Sequence, residues 1–384
     1  MPVEITLEQA RKVAAKTFQD TDHSYAIRIV ELTSDTFRYG LPEYPSRIFT
    51  QSCSYTRTNR AFVVDLARSE DSPPTHSTFL ITSAAPRLVP ESNATDTVYH
   101  TNNLQVYTKL ITLVRKTTSL PFNQPVLDSS LTDIPCPYLL TPAHPITSSS
   151  MTSLSSARKQ NLISSQHNVL IDLTLGQMLG QLHSGVQNEW FGLPVAVGDP
   201  LDPSYSWQET FSVLIETLMH EVESKEEFES LELPFDDLRR CLSRAIAFYL
   251  FDDVEAPSLV WFTGSEDDIY IALPPPGSSD PPNIVAILPN LAHALWGDPH
   301  LESFFLPPAP TRALKEGYEA GGGEPLELFA RQKTKRSWYT VFLALVVLRE
   351  RGDGVGAELG GKTRGWAIET LAKEVEFLKD APCY

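Results

Sequence analysis

Apolar positions recur at helical spacing in several stretches of the chain. Near the start, Thr6 and Gln9 stand at the spacing of a capping box, and the helix-forming run LEQARKVAAKTF follows. Residues 103–117 carry apolar side chains three and four positions apart, which predicts a second helix. The same spacing predicts three helices within residues 171–249 and a final helical block that contains KRSWYTVFLALVVLRER.

Short β-rich runs lie between residues 47 and 83. The runs are SRIFTQSC, RAFVVDLA and STFLITSA, and the turn-prone string DSPPTH separates the last two. PYLLTPAHP predicts a strand that leads into a rigid connector, and the Ser/Thr-rich run ITSSSMTSLSS after it predicts a polar link. Two more strands are predicted, SLVWF or IYIAL and then NIVAIL, joined by PPPGSSDPP.

In chain order these elements predict an α+β fold of two lobes. Residues 1–142 form a small β-rich N-lobe with an N-terminal helix, an antiparallel sheet and one further helix. Residues 143–384 form a larger, mostly helical C-lobe with one β-hairpin, and its Ser/Thr-rich connector spans about residues 146–160. A chain of 384 residues is long enough for two lobes that share a cleft.

Composition narrows the class of protein. The 31 Lys and Arg residues against 48 Asp and Glu give a formal net charge of -17, which disfavours nucleic acid and membrane surfaces as partners. Four well-separated cysteines without a CxxC motif argue against a disulfide scaffold or a zinc site. The opening residues lack the apolar run of a signal peptide, and Val341 to Leu348 is too short to span a bilayer. We expect a cytoplasmic protein of undetermined oligomeric state.

Five segments between about residues 120 and 352 carry a resemblance to a known family. In order they are IPCPYLL, LGQMLGQLHS, SYSWQETFSVLIETLMHE, HALWGDPHLESFF and KRSWYTVFLALVVL. LGQLHS alone is a weak signal, but it is more specific when a Trp-headed helix and ALWGDP follow it. Together the segments resemble the aminoglycoside phosphotransferase and choline kinase family in its fungal form. This resemblance implies the bilobal protein-kinase-like fold.

The resemblance also implies where the nucleotide-binding residues should stand. Phosphoryl transfer needs backbone amides around the phosphates, a lysine on them and metal ligands. No glycine occurs between Gly40 and Gly176, and the expected phosphate loop reads TQSCSYTRTNR. Thr82 or Ser83 stands where the lysine should be, and Gln105 or Tyr107 stands where its glutamate partner should be.

The catalytic and metal positions implied by the resemblance are replaced as well. Trp261, Phe262 and Thr263 align with the family's His-Gly-Asp, Asp268 with its metal-binding Asn, and Asn290 with its metal-binding Asp. Threonine cannot accept a proton at neutral pH, and a neutral amide is a poor sole anchor for magnesium. These departures together predict that ATP-dependent phosphotransfer is lost and that the chain uses no cofactor and no metal.

The replacements predict a different chemistry in the cleft. Aromatic residues occupy its middle, acids stand in the adjoining loop, and a poorly hydrated carboxyl has a raised pKa that suits a general acid or base. We predict proton-transfer chemistry (cyclisation, isomerisation or dehydration) on an apolar small molecule of fungal secondary metabolism. The predicted catalytic residues are Glu266, Asp267, Asp268 and His293. The predicted substrate-binding residues are Trp261, Phe262, Thr263, Asn290 and Tyr339.

Structural interpretations of the same residues stay open. The acidic run 266–268 is typical of a solvated turn, Trp261 and Phe262 of core filling, and His293 of an exposed or capping position. His183 and Asp298 suit helix packing and turn fixation, and the basic residues within 331–336 suit a solvated helix start. Two other functions also stay open, a non-catalytic pseudokinase that binds a partner and an atypical phosphotransferase.

Overall fold

The computed structural model describes residues 5–19, 21–32, 59–83, 99–145, 151–229, 231–275, 278, 280–306, 310–326, 329–351 and 357–383. Within these ranges a β-sheet dominates the first part of the chain and helices dominate the rest, so the predicted α+β class is confirmed. The strand predicted in SRIFTQSC lies outside the described residues. Among the described residues, no helix has the length and hydrophobicity of a transmembrane span.

The N-lobe is an antiparallel sheet with a helix on each face. Its elements are α1 Leu7–Thr17, β1 Tyr25–Glu31, β2 Asn59–Ala67, β3 His76–Ser83, α2 Leu104–Thr117, β4 Val126–Asp128, β5 Tyr138–Leu140 and β6 His144–Pro145. The strand order is β1-β2-β3-β5-β4, and β6 pairs with β3. Along β2, Phe62 and Val64 join the cluster under α1, whereas Ala61 and Val63 join the cluster under α2, as the alternation of a strand requires.

The C-lobe contains helices and two small sheets. The helices are α3 Leu154–Lys159, α4 Ser165–Gly185, α5 Trp207–Glu223, α6 Phe235–Ala247, α7 Arg312–Ala320, α8 Ala330–Arg351 and α9 Ala357–Asp380. The strands are β7 Met151–Ser153, β8 Ser258–Val260, β9 Ile269–Ala272, β10 Asn283–Ile287 and β11 Leu295–Gly297. The predicted hairpin is β9–β10, which β7 extends to three strands, while β8 pairs with β11.

The Ser/Thr-rich run is more ordered than a polar link. Met151 to Ser153 pair with β9, and the Ser153 hydroxyl accepts a hydrogen bond from Ser156 N and caps α3. Leu154 and Ala157 are buried, which anchors the helix. Part of the predicted polar link is therefore a strand and a helix over residues 151–159, because these two apolar anchors and one cap outweigh the polar composition.

Helices α4 and α7 cross at unusually close range. A Cβ at Gly176 would lie 2.1 Å from the backbone oxygen of Leu314, and one at Gly317 would lie 2.0 Å from that of Leu173. Only glycine therefore fits at either position. The crossing brings the hydroxyl of Tyr318 on α7 to 2.9 Å from His183 Nδ1 on α4. The predicted role of His183 in helix packing is therefore confirmed.

One apolar cluster runs through both lobes. It joins Phe79 of the N-lobe sheet to Tyr270 of β9, with 4.8 Å between ring centroids, and it includes buried residues of α2 and α4. A second cluster fills the space between α5, α6, α8 and α9. The predicted site lies where the two clusters meet, because Trp261 belongs to the first and Phe262 to the second.

Candidate active site

Two loops carry most of the predicted site residues. Residues 261–268 connect β8 to β9, and residues 288–294 connect β10 to β11. Since β9 pairs with β10 and β8 with β11, the two loops are held side by side. Trp261 Nε1 donates to the backbone oxygen of Asn290 at 2.6 Å, and Leu288 N donates to that of Asp268 at 2.8 Å.

Asp268 lies at the centre of this contact and is 0% exposed. Its Oδ2 accepts hydrogen bonds from Ser265 N and Ser265 Oγ, both at 2.9 Å, and from Asn290 Nδ2 at 3.4 Å. Its Oδ1 is buried and has no hydrogen-bond partner among the described residues. Burial, and then repulsion from Asp267, raises the pKa of Asp268 well above its usual value. The site therefore favours the neutral carboxylic acid.

The turn before this acid has an unusual backbone. Phe262 has a φ of 63°, a left-handed conformation that favours glycine and is rare for a bulky side chain. The Glu302 carboxylate holds the turn, because its Oε2 accepts from Trp261 N at 3.0 Å and from Phe262 N at 3.4 Å. Glu302 is fully buried, and its Oε2 lies 3.5 Å from Nε2 of His183. The left-handed residue stands where the sequence alignment places the family's glycine.

Trp261 and Phe262 both fill the interior. The Trp261 ring lies against Gly264, where a Cβ would come within 2.2 Å of it, and its centroid is 6.1 Å from that of Phe122. The Phe262 ring lies 5.2 Å from that of Phe342 on α8. Both aromatic side chains are buried.

Glu266 and Asp267 are tied to the segment β7–α3. Arg158 of α3 pairs with Glu266 and also with Asp172 of α4, the latter at 2.7 Å. Ser155 donates from its hydroxyl to the Asp267 carboxylate, and its backbone N–H donates to the backbone oxygen of Glu266 at 3.2 Å. The interpretation of residues 266–268 as a solvated turn was wrong for Asp268, which is fully buried. Glu266 and Asp267 lie in the turn and are half-buried, and α3 supplies the cation and the donors that compensate their burial.

His293 belongs to a different network. Its Nδ1 lies 2.9 Å from the Tyr99 hydroxyl, and its Nε2 lies 3.7 Å from a Glu350 oxygen. Burial lowers the pKa of His293 to about 4, although the Glu350 carboxylate opposes the shift. An exposed or helix-capping position for this histidine was wrong, since it lies buried in the turn between β10 and β11.

Tyr339 on α8 bonds to a third group of side chains. Its hydroxyl donates to Asp298 Oδ2 at 2.6 Å and accepts from Trp207 Nε1 at 2.9 Å. Lys335 pairs with Asp298 at 2.7 Å, and this ion pair holds the pKa of the carboxyl well below its usual range even though burial acts in the opposite direction. Asp298 also accepts from His300 N at 2.9 Å, so its predicted role in fixing a turn is confirmed.

The interpretation of the basic residues on α8 as a solvated cluster was wrong for two of them. Lys335 is 3% exposed and Arg336 is also buried, with its guanidinium donating to the Phe305 backbone oxygen. Burial lowers the pKa of Arg336 to about 10. Both side chains stabilise the packing of α8.

The N-lobe positions expected to bind a nucleotide lie only partly within the described residues. The expected phosphate loop lies outside the described residues except for Asn59 and Arg60. Thr82 is buried beside Cys136, and the Tyr107 hydroxyl accepts a hydrogen bond from Asn59 Nδ2 at 3.0 Å. Gln105 is exposed. Within the described part of the chain, no group of three His, Cys, Asp or Glu side chains has a metal-holding arrangement.

Sequence reasoning missed three side chains that shape the site, namely Glu302, Arg158 and Ser265. Glu302 stands in the segment HALWGDPHLESFF, where its spacing after the GDP string is a usable signal. Arg158 had no such signal because its partner Glu266 is distant in the sequence. Ser265 had none because it acts on Asp268 through a local turn.

No protein-family model and no curated protein matches the chain. A Ralstonia eutropha JMP134 protein, assigned as an aminoglycoside phosphotransferase, superposes with a TM-score of 0.54 at 11% identity over 99% of this chain and 100% of its own. A Haemophilus somnus 129PT protein, assigned as a fructosamine-3-kinase, gives 0.51 at 12% identity over 96% of each chain. The GDP complex of a variant aminoglycoside 2′-phosphotransferase-IIIa gives 0.52 at 12% identity over 97% and 100%. The chain therefore has the kinase-like fold of the aminoglycoside phosphotransferases.

Proposed function

We propose that the chain is an enzyme that has lost ATP phosphotransfer and carries out proton transfer on an apolar small molecule at the junction of the lobes. The single observation that carries the proposal is the buried Asp268 carboxyl, whose raised pKa favours the neutral acid and whose Oδ1 has no hydrogen-bond partner among the described residues. A neutral carboxylic acid beside aromatic walls is suited to general acid catalysis.

Two observations support the loss of nucleotide chemistry. Thr263, not a carboxylate, stands at the position of the catalytic base and is buried. At the junction between the N-lobe sheet and β9, the rings of Phe79 and Tyr270 meet with 4.8 Å between centroids, so side chains of the protein fill this part of the space between the lobes. A planar base placed between these two rings would have to displace them.

The residues around Asp268 have separate tasks in this proposal. Ser265 and Asn290 hold Oδ2 through their donors, which leaves the proton on Oδ1. Trp261 and Phe262 exclude water, which keeps the acid neutral and protects a reactive intermediate. Asp268 then donates its proton to the substrate and recovers one when the product forms, as in a cyclisation, an isomerisation or a dehydration of a fungal secondary metabolite.

A second candidate function is a non-catalytic pseudokinase. The burial of three predicted site residues favours it. Asp268 and His293 are 0% exposed and Asn290 is 1% exposed. A substrate therefore reaches Asp268 only if the covering segments move. A protein that uses only its outer surface needs no such movement.

A nucleotide titration tests the first part of the proposal. We expect no change in melting temperature with millimolar ATP, ADP or GTP and magnesium or manganese. A ligand at one hundred times its dissociation constant would stabilise the fold by about 2.7 kcal/mol. A metal-dependent shift would contradict the proposal. It would favour the phosphotransferase, because Asp268 and Asn290 still supply one carboxylate and one amide with their positions interchanged.

Deuterium incorporation tests the second part. The protein is incubated in D₂O, without nucleotide, with an extract of apolar fungal metabolites, and mass spectrometry follows the uptake of deuterium. We expect uptake with the wild type and with the exposed control Asp252→Asn, and a loss of at least about a hundredfold with Asp268→Asn. Equal uptake by all three proteins would show that Asp268 takes no part in the proton transfer. No uptake by the wild type would favour the pseudokinase.

A further inference from the structure

Two buried side chains beside Asn290 each present a polar atom that has no hydrogen-bond partner in the part of the chain that the structure describes. They are Thr263, through Oγ1, and Asp268, through Oδ1, and both side chains are at most 1% exposed. The amide nitrogen of Asn290 lies 3.5 Å from the Thr263 backbone oxygen and 3.4 Å from Asp268 Oδ2. Buried polar atoms in folded proteins are nearly always satisfied. Within the described residues no group satisfies these two atoms, so both are available to a bound molecule.

The hydrogen bonds around Asp268 define what that partner is. Oδ2 accepts three hydrogen bonds and is saturated, so the proton of the neutral acid resides on Oδ1. Oδ1 is therefore a donor, and the Thr263 hydroxyl can donate or accept. Two such groups are complementary to an oxygen atom with free lone pairs. A cation does not fit a site whose nearest groups are a hydroxyl and an O–H donor.

We infer that Thr263 Oγ1 and Asp268 Oδ1 together bind one oxygen of the substrate, an alcohol or a carbonyl on an otherwise apolar skeleton. This inference rests on the proposed function and names its substrate class. Thr263 is the residue that selects and orients the oxygen, and Asp268 is the acid that protonates it.

The chemistry balances without a further reactant. With a tertiary alcohol, the proton moves from Asp268 Oδ1 to the hydroxyl oxygen, the C–O bond breaks and water leaves with the electron pair. The neighbouring carbon then loses a proton to the Asp268 carboxylate, and its C–H electron pair forms the new double bond. The carboxylic acid is regenerated. With a ketone, protonation of oxygen and loss of the neighbouring proton give the enol.

Small cyclic probes test the site without knowledge of the substrate. Cyclohexanol, cyclohexanone and methylcyclohexane have similar sizes, and only the first two carry oxygen. Ligand-observed NMR on the full-length wild type should show binding of the two oxygenated probes, with at least about fivefold weaker binding of methylcyclohexane. The same titration with Thr263→Val, which removes Oγ1 at nearly constant volume, should lose that preference, while Thr263→Ser should keep it.

The outcomes separate this inference from the proposed function. Equal binding of all three probes by the wild type, or equal binding by wild type and Thr263→Val, would overturn the inference. Absence of probe binding would overturn it too. Urea unfolding of Thr263→Val guards against a folding defect, and it should show no loss of stability because an unsatisfied buried hydroxyl is removed. If the preference depends on Thr263 but Asp268→Asn keeps full deuterium uptake, the oxygen site stands and the proton-transfer function fails.

Discussion

At the scale of single residues, Asp268 combines features that seldom occur together. It is fully buried, three donors converge on one oxygen, and the adjacent acid Asp267 raises its pKa further after burial has done so. A carboxyl with a raised pKa binds its proton more tightly in the folded chain than in the unfolded one. The protonation state of Asp268 therefore couples stability to pH.

Asp268→Asn should stabilise the protein increasingly as pH rises. Because the folded pKa is raised, the contribution of this carboxyl is fully present below the unfolded pKa of about 3.9 and is lost as pH rises through the folded pKa. The wild type loses up to about 1.4 kcal/mol per pH unit in that window, whereas asparagine loses nothing. Urea unfolding at pH 5, 6, 7 and 8 measures the difference.

The exposed variant Asp252→Asn is the matched control, and its difference from the wild type should stay constant over the same pH range. A gap between Asp268→Asn and the wild type that is flat, or that narrows towards pH 8, would mean that Asp268 is ionised in the folded chain. The assignment of a neutral acid would then be wrong.

At the scale of elements, two buried charge networks connect helices to the loops of the site. Lys335 of α8 pairs with Asp298 at 2.7 Å and with Asp253 at 2.8 Å. Burial lowers the pKa of Lys335, but the two carboxylates outweigh it and the net shift is upward. The lysine stays charged and fixes α8 to the end of β11.

Lys335→Met should lower the free energy of unfolding by about 3–5 kcal/mol, because it leaves the buried Asp298 carboxylate without its cation. Lys333→Met, two positions earlier on the exposed side of α8, should change it by less than about 0.5 kcal/mol. Urea denaturation compares the two variants. Similar effects of both substitutions would show that the Lys335 pair contributes little.

The second network uses Arg158 to fasten β7–α3 to the loop that carries Asp268. Arg158→Met should leave Glu266 and Asp172 without this cation and loosen the loop. We expect amide hydrogen exchange in residues 261–270 to accelerate by roughly tenfold or more, with little change in α5 and α6. The exposed neighbour Lys159 supplies the control, since Lys159→Met should leave exchange unchanged. Unchanged exchange in Arg158→Met would show that α3 does not control this loop.

Local patterns predict elements well and distant pairings poorly in this chain. The capping box at Thr6, the helix at 103–117 and the hairpin β9–β10 follow from short-range spacing, and each is present. The pairing of β8 with β11, and of Arg158 with Glu266, joins residues tens to a hundred positions apart, and no local pattern encodes either. Burial of the acidic loop escaped prediction for the same reason.

At the scale of the whole molecule, the apolar cluster around Phe79 and Tyr270 crosses the junction of the lobes. The boundary predicted after residue 142 stays a prediction, but contacts across it include buried aromatic rings on both sides. Two lobes that share a core are expected to unfold together.

Phe79→Ala should therefore lower the stability of both lobes at once, by about 3–5 kcal/mol, because it creates a cavity in the shared core. All six tryptophans lie at or after Trp190, so tryptophan fluorescence reports the C-lobe although the substitution is in the N-lobe. We expect the fluorescence and circular dichroism midpoints in urea to fall together. Val30→Ala, on an exposed face of the same sheet, is the control. An unchanged fluorescence midpoint in Phe79→Ala would indicate independent lobes.

The left-handed turn at Phe262 has a consequence for how relatives of this chain can be found. A glycine-based motif search passes over the position, since its side chain is now a buried phenyl ring. The backbone, however, keeps a φ of 63° and the Glu302 carboxylate still receives both of its N–H groups. Diverged relatives can thus be recognised by a positive φ two residues after a short strand, paired with a buried acid about forty positions later, whatever side chains they carry there.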